Sequence, residues 1–207
     1  MSHAWIEWFA VGSALLAVGM GVLGLRITWI FWVISSLFYL HIFAEARLWA
    51  DSALQLVFIV AAIWGWLRWG RQVFSPGLMA MKARLIAIFC ACLCWFVVYG
   101  LLTILGGHAA LGDAFVASFS LIGQVLMVRQ RLEHWLFWLV ANLTGVGLFW
   151  IQGLKATAGL YLFFALLALI GLRQWQKQID LQVLSSQAAY LPDQGQSAAK
   201  PISQVRA

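Results

Sequence analysis

Long apolar stretches alternate with short polar connections along most of the chain. A helix that spans a membrane needs roughly 20 mostly apolar residues. Seven stretches fit this requirement, at residues 5–25, 28–44, 51–69, 85–105, 111–128, 134–152 and 156–175. The connections between these stretches are too short for a soluble domain. The polar stretch 179–207 predicts a disordered tail. We expect this tail on the cytoplasmic side, because of the distribution of basic residues described below. The pattern therefore predicts an all-α integral membrane protein with seven transmembrane helices.

The composition points to the same environment. The chain is 64% hydrophobic and 10% charged, whereas soluble domains carry about 25% charged residues. The basic residues lie at predicted helix ends and not in one stripe, so nucleic-acid binding is not expected. The expected surroundings are a lipid bilayer.

The chain also contains an internal repeat. Residues 28–72 align without a gap with residues 134–178, at an offset of 106. Identical pairs at this offset include Trp29 and Trp135, Phe31 and Phe137, Trp32 and Trp138, Phe43 and Phe149, Phe58 and Phe164, Gly65 and Gly171, and Trp69 and Trp175. Two duplicated half-bundles around a shared site are a common construction among transporters.

The repeating unit is three helices long, because the same offset also pairs Glu7 in the first helix with Asp113 in the fifth. A direct copy of an odd unit would insert upside down, and a single linker helix restores its direction. We therefore predict two parallel three-helix bundles, residues 1–80 and 109–178, joined by a linker helix within 81–108. This three-plus-one-plus-three order resembles that of SWEET-type sugar transporters, a likeness of architecture that does not fix function.

Charge asymmetry predicts the orientation in the membrane. Nine basic residues fall on one predicted side: Arg26, Arg68, Arg71, Lys82, Arg84, Arg129, Arg131, Arg173 and Lys177. Two fall on the other side, Arg47 and Lys155. The positive-inside rule then places the N-terminus outside and the C-terminus in the cytoplasm.

Residues for energised transport or catalysis are not evident. Each Asp and Glu lies near a predicted helix end or outside the helices, and no GxxxxGK[ST] phosphate loop is present. His41 is one candidate proton relay, with an interfacial, hydrogen-bonded histidine as the alternative. Cys90, Cys92 and Cys94 are spaced two apart on a helix, so their sulfurs cannot converge on one metal ion. We expect passive movement of a solute, no enzyme activity and no cofactor.

The sixth helix carries the most specific candidate site. Trp135, Trp138 and Asn142 are spaced by three and four residues, which places them on one helical face. Asn142 would lie roughly 13 Å inside a ~30 Å core, where an amide needs a partner. The two indoles could form a wall for a flat or cationic ring. The alternative is an interfacial role for Trp135 and helix–helix packing for Asn142.

The first copy keeps both tryptophans but has Ser36 where the second has Asn142. This difference predicts an asymmetric site, in which residues of the second half make most of the specific contacts with the substrate. Gln55 in the third helix and its repeat partner Tyr161 are further candidate cavity residues, with an interhelical hydrogen bond as the alternative for Gln55. Trp66 is a candidate for the same cavity.

These motifs resemble the PnuC family of bacterial vitamin transporters. The resemblance rests on LWADSALQ at residues 48–55, WGWxxW at residues 64–69 and WxxWxxxN at residues 135–142, and it covers residues 5–178. It implies facilitated diffusion of nicotinamide riboside, thiamine or riboflavin across the bacterial inner membrane, followed by phosphorylation by a cytoplasmic kinase. It also implies a homotrimer in at least some members. Trp135, Trp138, Asn142 and Gln55 match the family's substrate-binding positions.

Two positions depart from the nicotinamide riboside carriers, which are expected to have asparagines where this chain has Ala62 and Ile170. Fewer amides would suit thiamine, whose thiazolium ring carries a delocalised charge. Nicotinamide riboside is the first expectation, with thiamine or riboflavin as alternatives. The alternatives from other functional classes are a membrane-embedded enzyme and a structural subunit of a larger complex.

Overall fold

The computed structural model describes residues 4–45, 49–71, 73–104 and 110–190. Seven helices occupy these residues: α1 Ala4–Val22, α2 Thr28–Glu45, α3 Trp49–Trp69, α4 Met81–Ile104, α5 Ala110–Val128, α6 His134–Ile151 and α7 Lys155–Tyr190. Six of them are long and apolar enough to cross a membrane, and Trp8–Val22 of α1 is a shorter apolar segment. The side chain of Glu7, paired above with Asp113, lies outside the described part.

The helices pack as two equivalent bundles. In the first, α2 lies between α1 and α3, and in the second, α6 lies between α5 and α7. The bundles meet through α1 against α7 and through α3 against α5, while α4 packs beside α5. The 106-residue offset converts the α1–α7 contact into the α5–α3 contact, so the bundles are related by a two-fold axis. The predicted three-plus-one-plus-three architecture is confirmed.

One end of the molecule holds the α1–α2, α3–α4 and α5–α6 connections, and we call it the connector end. Near this end the same tryptophan–glycine contact occurs in each half. The indole of Trp29 lies directly against Gly65, and that of Trp135 against Gly171, where a Cβ atom would overlap either ring. These contacts explain why both members of each pair persist in the repeat.

Two further tryptophans join the halves at the connector end. Trp69 packs edge-on to Trp29 with ring centroids 5.2 Å apart, and Trp175 packs edge-on to Trp135 at 5.7 Å. The Nε1 of Trp69 donates to the Val128 carbonyl of the other half at 3.1 Å. The Nε1 of Trp175 donates to the Gly21 carbonyl of the first half at 3.0 Å. We call Trp29, Trp69, Trp135 and Trp175 the tryptophan cluster. This cluster closes the connector end between the two bundles.

The α3–α4 connection adds a second link between the halves. Gly77 N–H donates to the Gln130 carbonyl, and Leu132 N–H donates to the Gly77 carbonyl, both at 3.0 Å. The buried carboxylate of Glu133 accepts from Met79 N–H and from Arg84 Nε, both at 2.8 Å. The connection is therefore fastened to the turn between α5 and α6.

The last helix is longer than the sequence indicated. α7 continues to Tyr190, so residues 179–190, predicted to be disordered, are helical. Its 36 residues span about 54 Å at 1.5 Å per residue, well beyond a ~30 Å membrane core. The prediction was wrong here because a polar composition marks the end of the membrane span, not the end of the helix. Residues 191–207 lie outside the described residues.

Candidate functional site

A cavity of about 420 Å³ lies between the two bundles. This volume falls within the roughly 300–1,000 Å³ typical of small-molecule sites. All six repeat helices contribute to its wall, whereas α4 contributes none of the lining residues. The cavity therefore lies at the two-fold axis, where both halves face one shared space.

The tryptophans and phenylalanines of the wall are arranged symmetrically. Three pairs of identical residues related by the 106-residue offset line the cavity: Trp32 and Trp138, Phe43 and Phe149, and Phe58 and Phe164. The rings of Trp32 and Trp138 touch across the axis, with centroids 5.3 Å apart and planes at 60°. A flat ligand would therefore lie against these two indoles, because the gap between them is too narrow for a third ring.

The polar part of the wall is asymmetric. Four repeat-related pairs that line the cavity differ in chemistry: Ala14 and Ser120, Val18 and Gln124, Ser36 and Asn142, and Gln55 and Tyr161. In three of them the second half supplies the larger or more polar hydrogen-bonding group. The predicted asymmetry at Ser36 and Asn142 thus extends to further positions along the wall.

One layer closes the cavity towards the connector end. Val18, Trp32, Gln124 and Trp138 line the cavity, and each lies four residues from the connector end of its helix. We call this layer the floor. The tryptophan cluster lies beyond the floor, which leaves the connector end closed in this conformation.

Four of the six predicted site residues line the cavity: Gln55, Trp138, Asn142 and Tyr161. Their helices place them as the repeat and the helical period indicated. Whether they contact a substrate stays a prediction.

Trp135 and Trp66 do not line the cavity, contrary to expectation. Trp135 is fully buried in the tryptophan cluster, one turn beyond Trp138. Trp66 is stacked under the Arg26 guanidinium at 3.7 Å, and its carbonyl accepts from Arg26 Nε at 2.9 Å. Both residues lie on roughly the predicted face of their helices, but they are closer to the connector end than the floor is. The helical period indicates a face and carries no information about where a cavity ends.

Gln124 is the most deeply buried of the polar lining residues that sequence reasoning missed; the others are Ser35, Tyr39, Ser120 and Thr157. It is 1% exposed, it lines the cavity, and its Nε2 has no hydrogen-bond partner. The available signal was the single amide of α5, at the same depth as Trp138.

The other candidate chemistry lies elsewhere. His41 is half-exposed and pairs with Glu45 at 3.4 Å, and it does not line the cavity. Cys90, Cys92 and Cys94 are free thiols on α4. Within the described residues no group of three or more His, Cys, Asp or Glu could hold a metal ion.

Comparison with known proteins identifies the relatives of this chain. Residues 4–177 match the model of a family described as "Nicotinamide mononucleotide transporter". The nicotinamide riboside transporter PnuC of Escherichia coli (strain K12) is 29% identical over 205 residues, covering 83% of this chain and 85% of that protein. The riboflavin/roseoflavin transporter RibM of Streptomyces davaonensis is 24% identical over 183 residues, covering 82% and 85%.

A solved structure shows the same fold. The crystal structure of "the Vitamin B3 transporter PnuC" superposes with a TM-score of 0.72 at 19% identity, covering 86% of this chain and 83% of that one. The resemblance to the PnuC family is confirmed, and this is a family of membrane transporters and not of enzymes. The chain belongs to the nicotinamide mononucleotide transporter family, the family of PnuC.

Proposed function

We propose that this protein carries nicotinamide riboside across a membrane by facilitated diffusion. The supporting observation is a cavity on the two-fold axis, walled by aromatic pairs and amides, in which no described lining residue carries a formal charge. Aromatic faces attract a flat cation such as the pyridinium ring. Asn142 and Gln55 supply hydrogen-bonding groups for a ribose.

The uncharged wall favours a riboside over a mononucleotide. A phosphate brings about two negative charges at neutral pH, and burying an unpaired charge is costly. Arg, Lys and His are absent from the described residues that line the cavity. A nucleoside avoids this cost, which agrees with the riboside named for the Escherichia coli relative.

The same wall supports passive transport. Ion-coupled carriers place Asp, Glu or His within the bundle, and none of the described lining residues is of these types. Net uptake would then require that the transported vitamin is removed inside the cell. The family resemblance assigns this removal to phosphorylation by a separate cytoplasmic kinase. This coupling is part of the proposal.

The orientation is proposed from charge. The basic residues near the connector end include Arg26, Arg68, Lys82, Arg84 and Arg129, which would place this end in the cytoplasm of a bacterium by the positive-inside rule. The N-terminus would then be outside, and the cavity would be closed on the cytoplasmic side.

Thiamine and riboflavin are the alternative substrates within this family. The case for thiamine relied on missing amides at Ala62 and Ile170. Ala62 is buried in the protein core, Ile170 is exposed, and neither lines the cavity. The structure therefore supplies no argument that these two positions weaken binding of a riboside. A homotrimer stays a prediction from the family resemblance, and α4 has exposed apolar side chains that suit lipid or another subunit.

Counterflow in vesicles tests this function. Purified protein in liposomes preloaded with nicotinamide riboside should accumulate labelled nicotinamide riboside without ATP, and an uncoupler should not change the rate. Asn142→Ala should reduce the rate about fivefold, because one buried hydrogen bond is worth about 1 kcal/mol. Thr144→Ala is the matched control on α6, since Thr144 lies outside the cavity. Dependence on a proton gradient, or a normal rate in Asn142→Ala, would contradict the proposal.

A further inference from the structure

Two polar groups in the cavity wall lack a hydrogen-bond partner among the described residues. Trp32 Nε1 and Gln124 Nε2 are buried without a hydrogen bond, and both residues line the cavity. Buried donors are nearly always paired in folded proteins, since an unpaired one destabilises the fold. Positions that break this rule are expected at functional sites.

The two groups belong to the same layer. Trp32 from the first half and Gln124 from the second both form the floor, one turn from the connector end. The other indole of the floor, Trp138, has its Nε1 within 3.4 Å of the Ser120 carbonyl. The fourth floor residue, Val18, is apolar. Trp32 and Gln124 are thus the floor residues with unused hydrogen-bonding capacity.

The chemistry of these groups defines the complementary ligand. An indole N–H can only donate, and a glutamine amide offers two N–H donors beside its carbonyl. Two donors from opposite halves match a single acceptor atom that has two lone pairs, such as a carbonyl oxygen. The repeat partner of Gln124 is Val18, so the two-fold axis does not provide a second site of this kind.

We propose that Trp32 and Gln124 bind a carbonyl oxygen on the ring system of the substrate and so determine which vitamins the cavity accepts. This inference rests on the proposed transport function. Nicotinamide riboside presents a carboxamide oxygen, and riboflavin presents ring carbonyls. Thiamine has no carbonyl group and would leave both donors unpaired, so the floor selects against it.

Calorimetry with a matched ligand pair tests the inference. Nicotinamide riboside and pyridine riboside share the charged ring and the ribose, but the second lacks the carboxamide. Gln124→Met should weaken binding of nicotinamide riboside about tenfold and leave pyridine riboside unchanged. Trp32→Phe should give the same pattern. Ser118→Ala is the control, because Ser118 Oγ on α5 is equally buried and unpartnered but lies outside the cavity.

Thermal melting without ligand separates recognition from folding. Gln124→Met removes a buried unpaired group, so the melting temperature of the ligand-free protein should be unchanged or higher. A lower melting temperature, or equal weakening of both ribosides, would show that Gln124 positions the helices and would overturn the inference.

The same measurements distinguish failure of the substrate from failure of the inference. If the wild-type protein binds riboflavin and not nicotinamide riboside, the substrate assignment fails, and Gln124→Met must then weaken riboflavin binding about tenfold for the inference to stand. Tight binding of thiamine, or binding of none of the three vitamins, would overturn the inference.

Discussion

In each half of the molecule, a tryptophan ring packs directly against a glycine. Trp29 lies against Gly65, and Trp135 lies against Gly171, so the flat ring occupies the volume of a missing side chain. Dense packing of this kind makes a protein interior sensitive to a single added methyl group. At these two positions glycine serves close packing, since neither has a positive φ angle.

Alanine at either glycine should destabilise the protein. Gly65→Ala and Gly171→Ala should each lower the free energy of unfolding by about 1–3 kcal/mol, the usual cost of overpacking. Gly19→Ala is the control, because no atom lies within 4 Å of a Cβ placed there. It should raise stability by about 0.5–1 kcal/mol, since alanine is the better helix residue. Thermal unfolding in detergent would measure all three, and equal effects would contradict this packing.

For individual residues, the sequence predicted the helical face on which a side chain lies better than its position along the depth of the bundle. Gln55, Trp138, Asn142 and Tyr161 line the cavity as expected because each helix presents a new residue every 100°. Trp135 shares a face with Asn142 but lies beyond the floor. Depth depends on where side chains from other helices meet, as Trp32 and Trp138 do, and no local spacing contains that information.

Helices are joined across the two-fold axis by reciprocal hydrogen bonds. Trp69 of α3 donates to Val128 of α5, and Trp175 of α7 donates to Gly21 of α1. Phe74 packs against both indoles, with centroids 5.1 Å and 5.0 Å away. These contacts close the connector end, so passage through the protein requires that they separate.

Removing either hydrogen bond should have a similar effect. Trp69→Phe and Trp175→Phe should each lower the free energy of unfolding by about 2–4 kcal/mol, from the lost hydrogen bond and from the cavity that the smaller ring leaves. The similarity is expected because the two donors are related by the 106-residue offset and their acceptors differ from that relation by one residue. Trp150→Phe, at an exposed tryptophan, should change stability little. Chemical denaturation would measure these values, and a large effect at only one of the two cluster positions would contradict the reciprocal arrangement.

The whole molecule combines a symmetric frame with an asymmetric lining. The number of helices and the parallel halves followed from the sequence, because a duplication preserves the fold of each half. The extension of α7, the contact between Trp32 and Trp138, and the burial of Gln124 in the cavity wall did not follow. A helix can continue into water without an apolar pattern, and a buried amide reveals its function only when its neighbours are known.

Retaining aromatic pairs while changing polar pairs suits a ligand with one flat ring and one hydroxylated end. The symmetric indoles provide a surface that does not depend on the ligand's direction. The unequal pairs, such as Ser36 and Asn142, can then fix that direction. A two-fold frame with unequal polar groups would thereby orient a single asymmetric molecule.

The most direct test is a structure of the protein with nicotinamide riboside bound. The ligand should occupy the cavity on the two-fold axis, against Trp32 and Trp138, with contacts from both halves that include Asn142. Ligand density outside this cavity, for example against α4, or density that contacts only one bundle, would contradict a shared site between the repeats.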